Sequence, residues 1–402
     1  MSDLARLRQT EFPLPPATRR IERAALVLGI VGALACIVGA IVEPAQRFLR
    51  AYLVCYMDWL GVTLGCMAIL MVAHVTSAQW GFVVRRILEA ASLNIFTMAL
   101  LFVPLLVGAP RLYVWAQAEV QLRDAIVQHQ QPYLNLPWFA ARAVLYFIAW
   151  CLLAFMLNRL SWRQDEPPEK EMRVRFQNLA GVGLLIYGFT MTFASIDWMM
   201  SLDPHWRSTI YGFYIMAGQG LMGFAFVIVM AAFLMRSEPL SSIITAEHLH
   251  DFGKMMFAFV ILWAYMGFSQ GLIYWAGNLP EEITWYADRT GGGWRVVALV
   301  LLFGHFVVPF LLLLSQDLKR HAAKLVPLAI WLMFMRWLDL YWLIVPSFPE
   351  TKGHFEFSWV LVAASCGIGG LWLVVFFYNL RLHPLVVRHD PMLAEIVGEH
   401  GH

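Results

Sequence analysis

The chain has 402 residues, of which 60% are hydrophobic and only 14% charged, and its mean hydropathy is +0.63. A water-soluble domain of this size carries charge on about a quarter of its residues, so that class is excluded. The formal net charge of +2, with no basic tract, gives no footing for nucleic acid as a partner.

Apolar runs of about 20 residues recur along the whole chain, and that length spans a bilayer as helix. They predict an all-α integral membrane protein with about ten transmembrane helices, at 22–42, 48–73, 80–107, 137–160, 178–200, 208–235, 250–273, 293–315, 324–345 and 357–379. Continuous runs exclude a barrel, whose strands alternate over short segments. The longer connections are 108–136, 161–177, 236–249, 274–292 and 346–356. No repeat or low-complexity stretch divides the chain. It reads as one polytopic domain over 22–380 with tails at 1–21 and 381–402. No small-residue cleavage site follows a short apolar region, so no cleaved signal peptide is expected.

Span one repeats small residues at Gly32, Cys36 and Ala40, and span ten does so in "ASCGIGG" (364–370). Such faces let backbones approach closely. Packing within the chain is the favoured reading; a docking face for another membrane subunit is the sharper one. The five cysteines (Cys36, Cys55, Cys66, Cys151, Cys366) all lie in apolar runs without haem-attachment, cluster or zinc spacing. They read as small packing residues.

Orientation follows from Lys and Arg. With the N-terminus in the cytoplasm, 19 of the 29 fall on the inner side, Arg6, Arg8 and Lys170 among them, 9 on the outer side, and Arg336 lies mid-span. Both termini are therefore expected inside. The motif "SIDWMMSLDPHWRSTIYGFY" (195–214) then faces outward, with "GNLPEEITWYADR" (277–289) and "SFPETKGHFEF" (347–357).

A charge near mid-membrane costs on the order of 3 kcal/mol on insertion scales, so it usually has a task. By depth, the candidates form a ladder for protons. Lys254, Asp251 and Glu89 lie on the inner side; Asp58, His305 and Arg336 lie in the middle; Asp339, Asp197 and Asp203 lie outward. Carboxylates and histidine exchange protons, and arginine does not. Arg336 would tune its neighbours as a fixed charge.

Each rung also has a plainer reading. Arg336 and Asp339, three residues apart on one helix face, can form a neutral structural pair. Asp251 with Lys254 can be a solvated helix start, where the helix dipole favours the acid. His305 can bond a backbone carbonyl, and Asp197 can simply be wet. Asp58 is hardest to explain away, because no basic residue lies within a turn of it. Trp198, Trp206 and Tyr211 read as anchors at headgroup depth. Only His305 sits deep in a span, which leaves no histidine pair for haem b. This chain is expected to bind no haem or metal.

Three stretches carry a resemblance: "SIDWMMSLDPHWRSTIYGFYIMAGQ" (195–219), "HLHDFGKMMFAFVILWAYMGFSQGLIYWAGNLPEEITWY" (248–286) and "FGHFVVPFLLLLSQDLKR" (303–320). They resemble the quinone-binding subunit 2 of alternative complex III, in the NrfD-like, polysulfide-reductase anchor superfamily. That assembly is a bacterial quinol:cytochrome c or high-potential-acceptor oxidoreductase. The resemblance spans nearly all of the chain after the N-terminal tail.

It implies two four-helix bundles, spans 2–5 and 6–9, flanked by helices 1 and 10, in the bacterial inner membrane. It implies as partners a sister NrfD-like quinol-binding subunit, an iron–sulfur subunit, multihaem cytochrome c subunits and lipids. Haem c and iron–sulfur clusters would sit in those partners. Quinol or menaquinol would be a substrate of the whole complex. This type of subunit is proposed to carry proton half-channels, which agrees with the ladder read independently above. Residues for quinone itself remain unassigned. The rival readings are an NrfD-like quinone anchor of a molybdopterin or polysulfide reductase, and a secondary transporter. A transporter more often shows broken spans in corresponding halves, and prolines inside spans are few here, Pro104 and Pro309.

Overall fold

In the computed structural model, residues 12–165 and 172–399 are described. Arg6, Arg8, Lys170 and the ends of both expected tails lie outside them. The chain is an all-α, multi-pass membrane protein, with no strand among the described residues. Nine helices there are long and apolar enough to cross a membrane: α1 Pro16–Val42, α2 Ala45–Thr76, α4 Leu136–Trp162, α5 Met172–Trp198, α6 Tyr211–Leu234, α7 Ala246–Gly277, α8 Trp294–Leu313, α9 Ala322–Ile344 and α10 Trp359–Arg381. A bent pair, Arg85–Leu101 with Val103–Leu112, makes a tenth, α3.

The sequence predicts α3 as one straight span; the structure bends it by 47° at Phe102. Pro104 explains the break. It has no N–H for the carbonyl of Leu100, and its ring crowds that carbonyl. Span eight departs more gently. Its middle, Leu301–Val307, widens into a π-helix that carries His305. Pro309 follows four residues after His305 and cannot bond its carbonyl, which favours the wider turn. The first span also starts earlier than expected, at Pro16, where proline is tolerated at a helix start.

Helices α2 and α6 form the centre, and α6 is almost wholly buried. They pack on each other; α2 also meets α3, α5, α9 and α10, and α6 also meets α5, α7 and α9. Gly65 sets the α2–α6 distance: a Cβ there would stand 2.0 Å from the Gln219 carbonyl oxygen. Lipid offers hydrocarbon as good as any side chain, so close backbone packing supplies much of the attraction between spans.

The small-residue faces meet each other. Helix α1 packs on α10, where a Cβ on Gly32 would lie 2.3 Å from the Gly367 amide nitrogen. The intrachain reading of those stripes therefore holds. Arg381, at the end of α10, pairs with Glu22 near the start of α1. Both helices thus open and close at one face, called here the termini face.

Gly32→Ala should therefore be destabilising, although alanine is the better helix former by about 1 kcal/mol. Overpacking of this kind typically costs about 1–3 kcal/mol. Gly181→Ala, where an added Cβ meets nothing within 4 Å, should be neutral or stabilising. Thermal unfolding of both variants in the same detergent separates the two signs. Equal melting points would refute the close α1–α10 contact.

Candidate functional site

Four helices bring polar side chains together at mid-span. Asp339 on α9 is fully buried, and three groups hold its carboxylate. Arg336, one turn earlier, pairs with Oδ2. Trp263 Nε1 on α7 donates to Oδ2 at 3.0 Å, and Tyr214 Oη on α6 donates to Oδ1 at 2.7 Å. The imidazole of His305 on α8 lies against Trp263, with ring centroids 3.9 Å apart.

The Arg336 guanidinium has room only because residue 218 is glycine. A Cβ there would fall 2.2 Å from Arg336 Cζ. From α2, Asp58 faces the same positive charge. Its own helix turn offers no basic residue, and the tertiary fold supplies one from α9. One guanidinium thus pairs with one carboxylate and acts through space on a second.

The cluster is not fully bonded. Asp58 Oδ1 and both nitrogens of His305 are buried without a hydrogen-bond partner. Buried polar atoms are nearly always paired, with protein or with ordered water. Three orphans around one ion pair therefore mark a place where water belongs. Carboxylates, an imidazole and water can pass protons; a guanidinium holds the field that orders them.

The other predicted residues fall into separate groups. Glu89 is clamped at the termini face between Arg85 and Arg86, each at 2.8 Å. Those arginines reach on to Asp390 at 3.0 Å and to Asp165 at 2.5 Å. Asp251 and Lys254 pair at 2.6 Å, and both are well exposed, matching a solvated helix start. Asp197 is fully buried rather than wet: Arg142 on α4 binds both its oxygens, at 2.8 and 2.9 Å, and Tyr146 adds a bond of 2.8 Å. Asp203 lines a cavity of about 320 Å³ at the face opposite the termini, with Tyr133, Trp206 and Arg207. The structure therefore joins Asp58, His305, Arg336 and Asp339, and keeps Glu89, Asp197, Asp203, Asp251 and Lys254 apart from them.

The expectation for the aromatics is overturned. Trp198, Trp206 and Tyr211 are interior residues, none more than 2% exposed. Trp206 stacks on Trp285 at 4.2 Å, and Trp198 packs against Phe102 at 4.5 Å. The connection 199–210 folds inward, and the helix Pro280–Thr290 covers it. Arg289 fixes that cover by donating to the Leu343 carbonyl at 2.8 Å and to Ser347 Oγ at 2.6 Å. Burial lowers its pKa to about 10, which still leaves it charged at neutral pH.

Sequence reading missed Tyr214, Trp263, Gly218 and Arg142. The signal for the first two was a polar tip on an aromatic ring deep in a span. For Gly218 and Arg142 nothing local points to their partners, 118 and 55 residues away in sequence. Among the described residues, no group of three or more His, Cys, Asp or Glu side chains is arranged to hold a metal ion. Neither the known protein-family models nor the curated proteins compared with this chain give a match.

Two outcomes test this geometry. Arg336→Leu strips one partner from a buried pair, which typically costs about 3–5 kcal/mol. Adding Asp339→Leu should recover much of that loss, as a double-mutant cycle on detergent unfolding would show. Independent, additive losses would mean the two side chains do not form a pair.

A second test concerns Asp124, which caps the helix Ala125–Gln130 and meets His205 Nε2 at 2.8 Å. Burial is the largest single effect and pushes its carboxyl up, but the Val127 and Ile126 amides and His205 together outweigh it and hold it below the ordinary value. A lowered folded-state value means the cap stabilises above the unfolded carboxyl value of about 3.9. The contribution is lost as pH falls through the folded one. The protection of the amides of residues 125–130, relative to their intrinsic exchange rates, should therefore fall on acidification below about pH 4, and at neutral pH in Asp124→Ala.

Proposed function

We propose that the chain is a membrane subunit of a respiratory quinol:electron-acceptor oxidoreductase of the alternative complex III type. In this reading it supports quinol oxidation and provides a proton pathway, while the redox centres sit in partner subunits. The observation that carries it is the mid-span cluster. Asp58 and His305 hold unpartnered polar atoms within the field of the Arg336–Asp339 pair, at a depth where idle charge is costly. The motif resemblance supplies the assembly. The packing of α2 with α3 and α5, and of α6 with α7 and α9, is compatible with two four-helix bundles flanked by α1 and α10.

The Lys and Arg asymmetry of 19 to 9 supports a cytoplasmic termini face, and the motif resemblance implies a bacterial inner membrane. Protons then enter near Glu89 and leave near Asp197 and Asp203, on the side where quinol oxidation releases them. Arg142 and the two arginines at Glu89 set the charge at those ends. They act as tuning groups, because arginine keeps its proton.

The decisive preparation is the native complex. Multihaem cytochromes, an iron–sulfur subunit and a sister membrane subunit should co-purify with the chain. A molybdenum subunit in their place would support the reductase-anchor reading instead. In vesicles, Asp58→Asn and His305→Gln should leave the complex assembled and lower the proton-to-electron ratio during quinol oxidation. Wild-type ratios in both assembled variants would remove the relay from the proposal. A reporter fused after His402 should be active only in the cytoplasm, and periplasmic activity would reverse the orientation.

A further inference from the structure

A second cavity, of about 500 Å³, opens between α7 and α8. It arises because α8 meets α7 chiefly through its half nearer the termini face, while its first turns, Trp294–Val300, pack on Pro280–Thr290 and α9. The size is that of a ligand site, which typically measures about 300–1,000 Å³. Its mouth is flanked by Tyr265, Phe268 and Leu302, each at least 49% exposed and each within a membrane span, so it opens sideways into lipid. Water has no place along that apolar wall. An empty volume of this size there would forfeit packing on every side.

Besides the Tyr214–Trp263–Asp339 cluster on its inner wall, the cavity has a polar clasp toward the face opposite the termini. Gln270 is buried, bonds Ser208 Oγ at 2.9 Å, and donates to Tyr286 Oη at 3.1 Å. That leaves the Tyr286 O–H free to donate. Tyr286 lies outside the spans, in the helix that covers the face opposite the termini. The apolar wall runs from Gln270 back to Ile261, nine residues of α7. At 1.5 Å per residue that is roughly 14 Å, close to half of a hydrocarbon core about 30 Å thick. A donor at the membrane boundary above an apolar slot one leaflet deep matches one occupant.

We propose that this cavity holds an acyl chain of a phospholipid from the leaflet opposite the termini face, with its ester carbonyl accepting from Tyr286 Oη. The chain lies against Phe268, Ala264 and Ile261, and it seals the lipid side of the Tyr214–Trp263–Asp339 cluster, which forms the inner wall. The site does not depend on the redox reading, because it is tested by what the purified protein retains.

Native mass spectrometry of the chain, released from lipid nanodiscs into mild detergent, reads the occupant. Wild type should retain one phospholipid through detergent exchange. A phospholipid with a photoreactive diazirine midway along its acyl chain should label residues 261–268 and 301–306. Tyr286→Phe removes one hydrogen bond, a net term of about 1 kcal/mol, and should speed lipid loss about fivefold. Ala298→Phe fills the cavity from α8 and should abolish both retention and labelling while the melting point holds. If that variant does not fold, Leu302→Trp at the mouth decides in its place. Unchanged retention in the cavity-filling variant overturns the proposal. So does a bound ring-shaped lipophile in place of a phospholipid, or labelling spread evenly over the lipid-facing helices.

Discussion

One guanidinium, on Arg336, sets what the surrounding helices must be. It cannot give up its charge, so the membrane interior must supply compensation from several directions. Asp339 takes it from within α9, and Asp58 faces it from α2. Tyr214 and Trp263 then satisfy the carboxylate from α6 and α7. Gly218 on α6 leaves the space in which the guanidinium lies. Four helices are thereby held to one geometry by a single side chain. Hydrocarbon packing alone, which tolerates many near-equivalent arrangements, would not fix it.

The same rule appears at both faces in simpler form. Every buried arginine there has found oxygen. Arg85 and Arg86 share Glu89, Arg142 grips Asp197, and Arg289 takes a carbonyl and a hydroxyl in place of a carboxylate. Even so, Arg85 Nη2, Arg86 Nε and Arg289 Nε are buried without a partner. The middle cluster differs in which groups are left open: there the unpaired atoms belong to Asp58 and His305. A carboxyl and an imidazole exchange protons and a guanidinium does not, so only the middle cluster leaves unpaired atoms on groups that can pass one.

The fold was legible in the sequence wherever length and apolarity decide. All ten predicted segments correspond to helical spans, and the small-residue stripes of α1 and α10 meet as their spacing allowed. The bend at Phe102 was readable only in part: Pro104 stood in view, but a proline near one end of a run can start a helix as easily as break one. Depth picked out Asp58, His305, Arg336 and Asp339 as a group. It also picked out Glu89 and Asp197, whose arginine partners made them different. Depth is a local property that sequence carries; partnership is a tertiary one. The misplaced aromatics follow the same division. A Trp-rich connection next to a span looks like an interfacial belt until another segment, here Pro280–Thr290, folds over it.

The breaks in α3 and α8 also bear on what kind of membrane protein this is. Transporters that rock one repeat against another place broken spans at matching positions in the two halves. Here the bent span is the second of α2–α5, and the π-widened one is the third of α6–α9. On the proposed grouping into two four-helix bundles, the two breaks do not fall at matching positions. The widened turn has a local use instead. A π-helix adds a residue to one turn and re-aims the side chains beyond it. His305 lies within that turn and packs against Trp263 with ring centroids 3.9 Å apart. Pro309, by denying the His305 carbonyl its ordinary partner, favours that conformation without any moving part. The distortion in α8 is thus better explained as fixed positioning of one imidazole beside the Arg336–Asp339 pair than as a hinge.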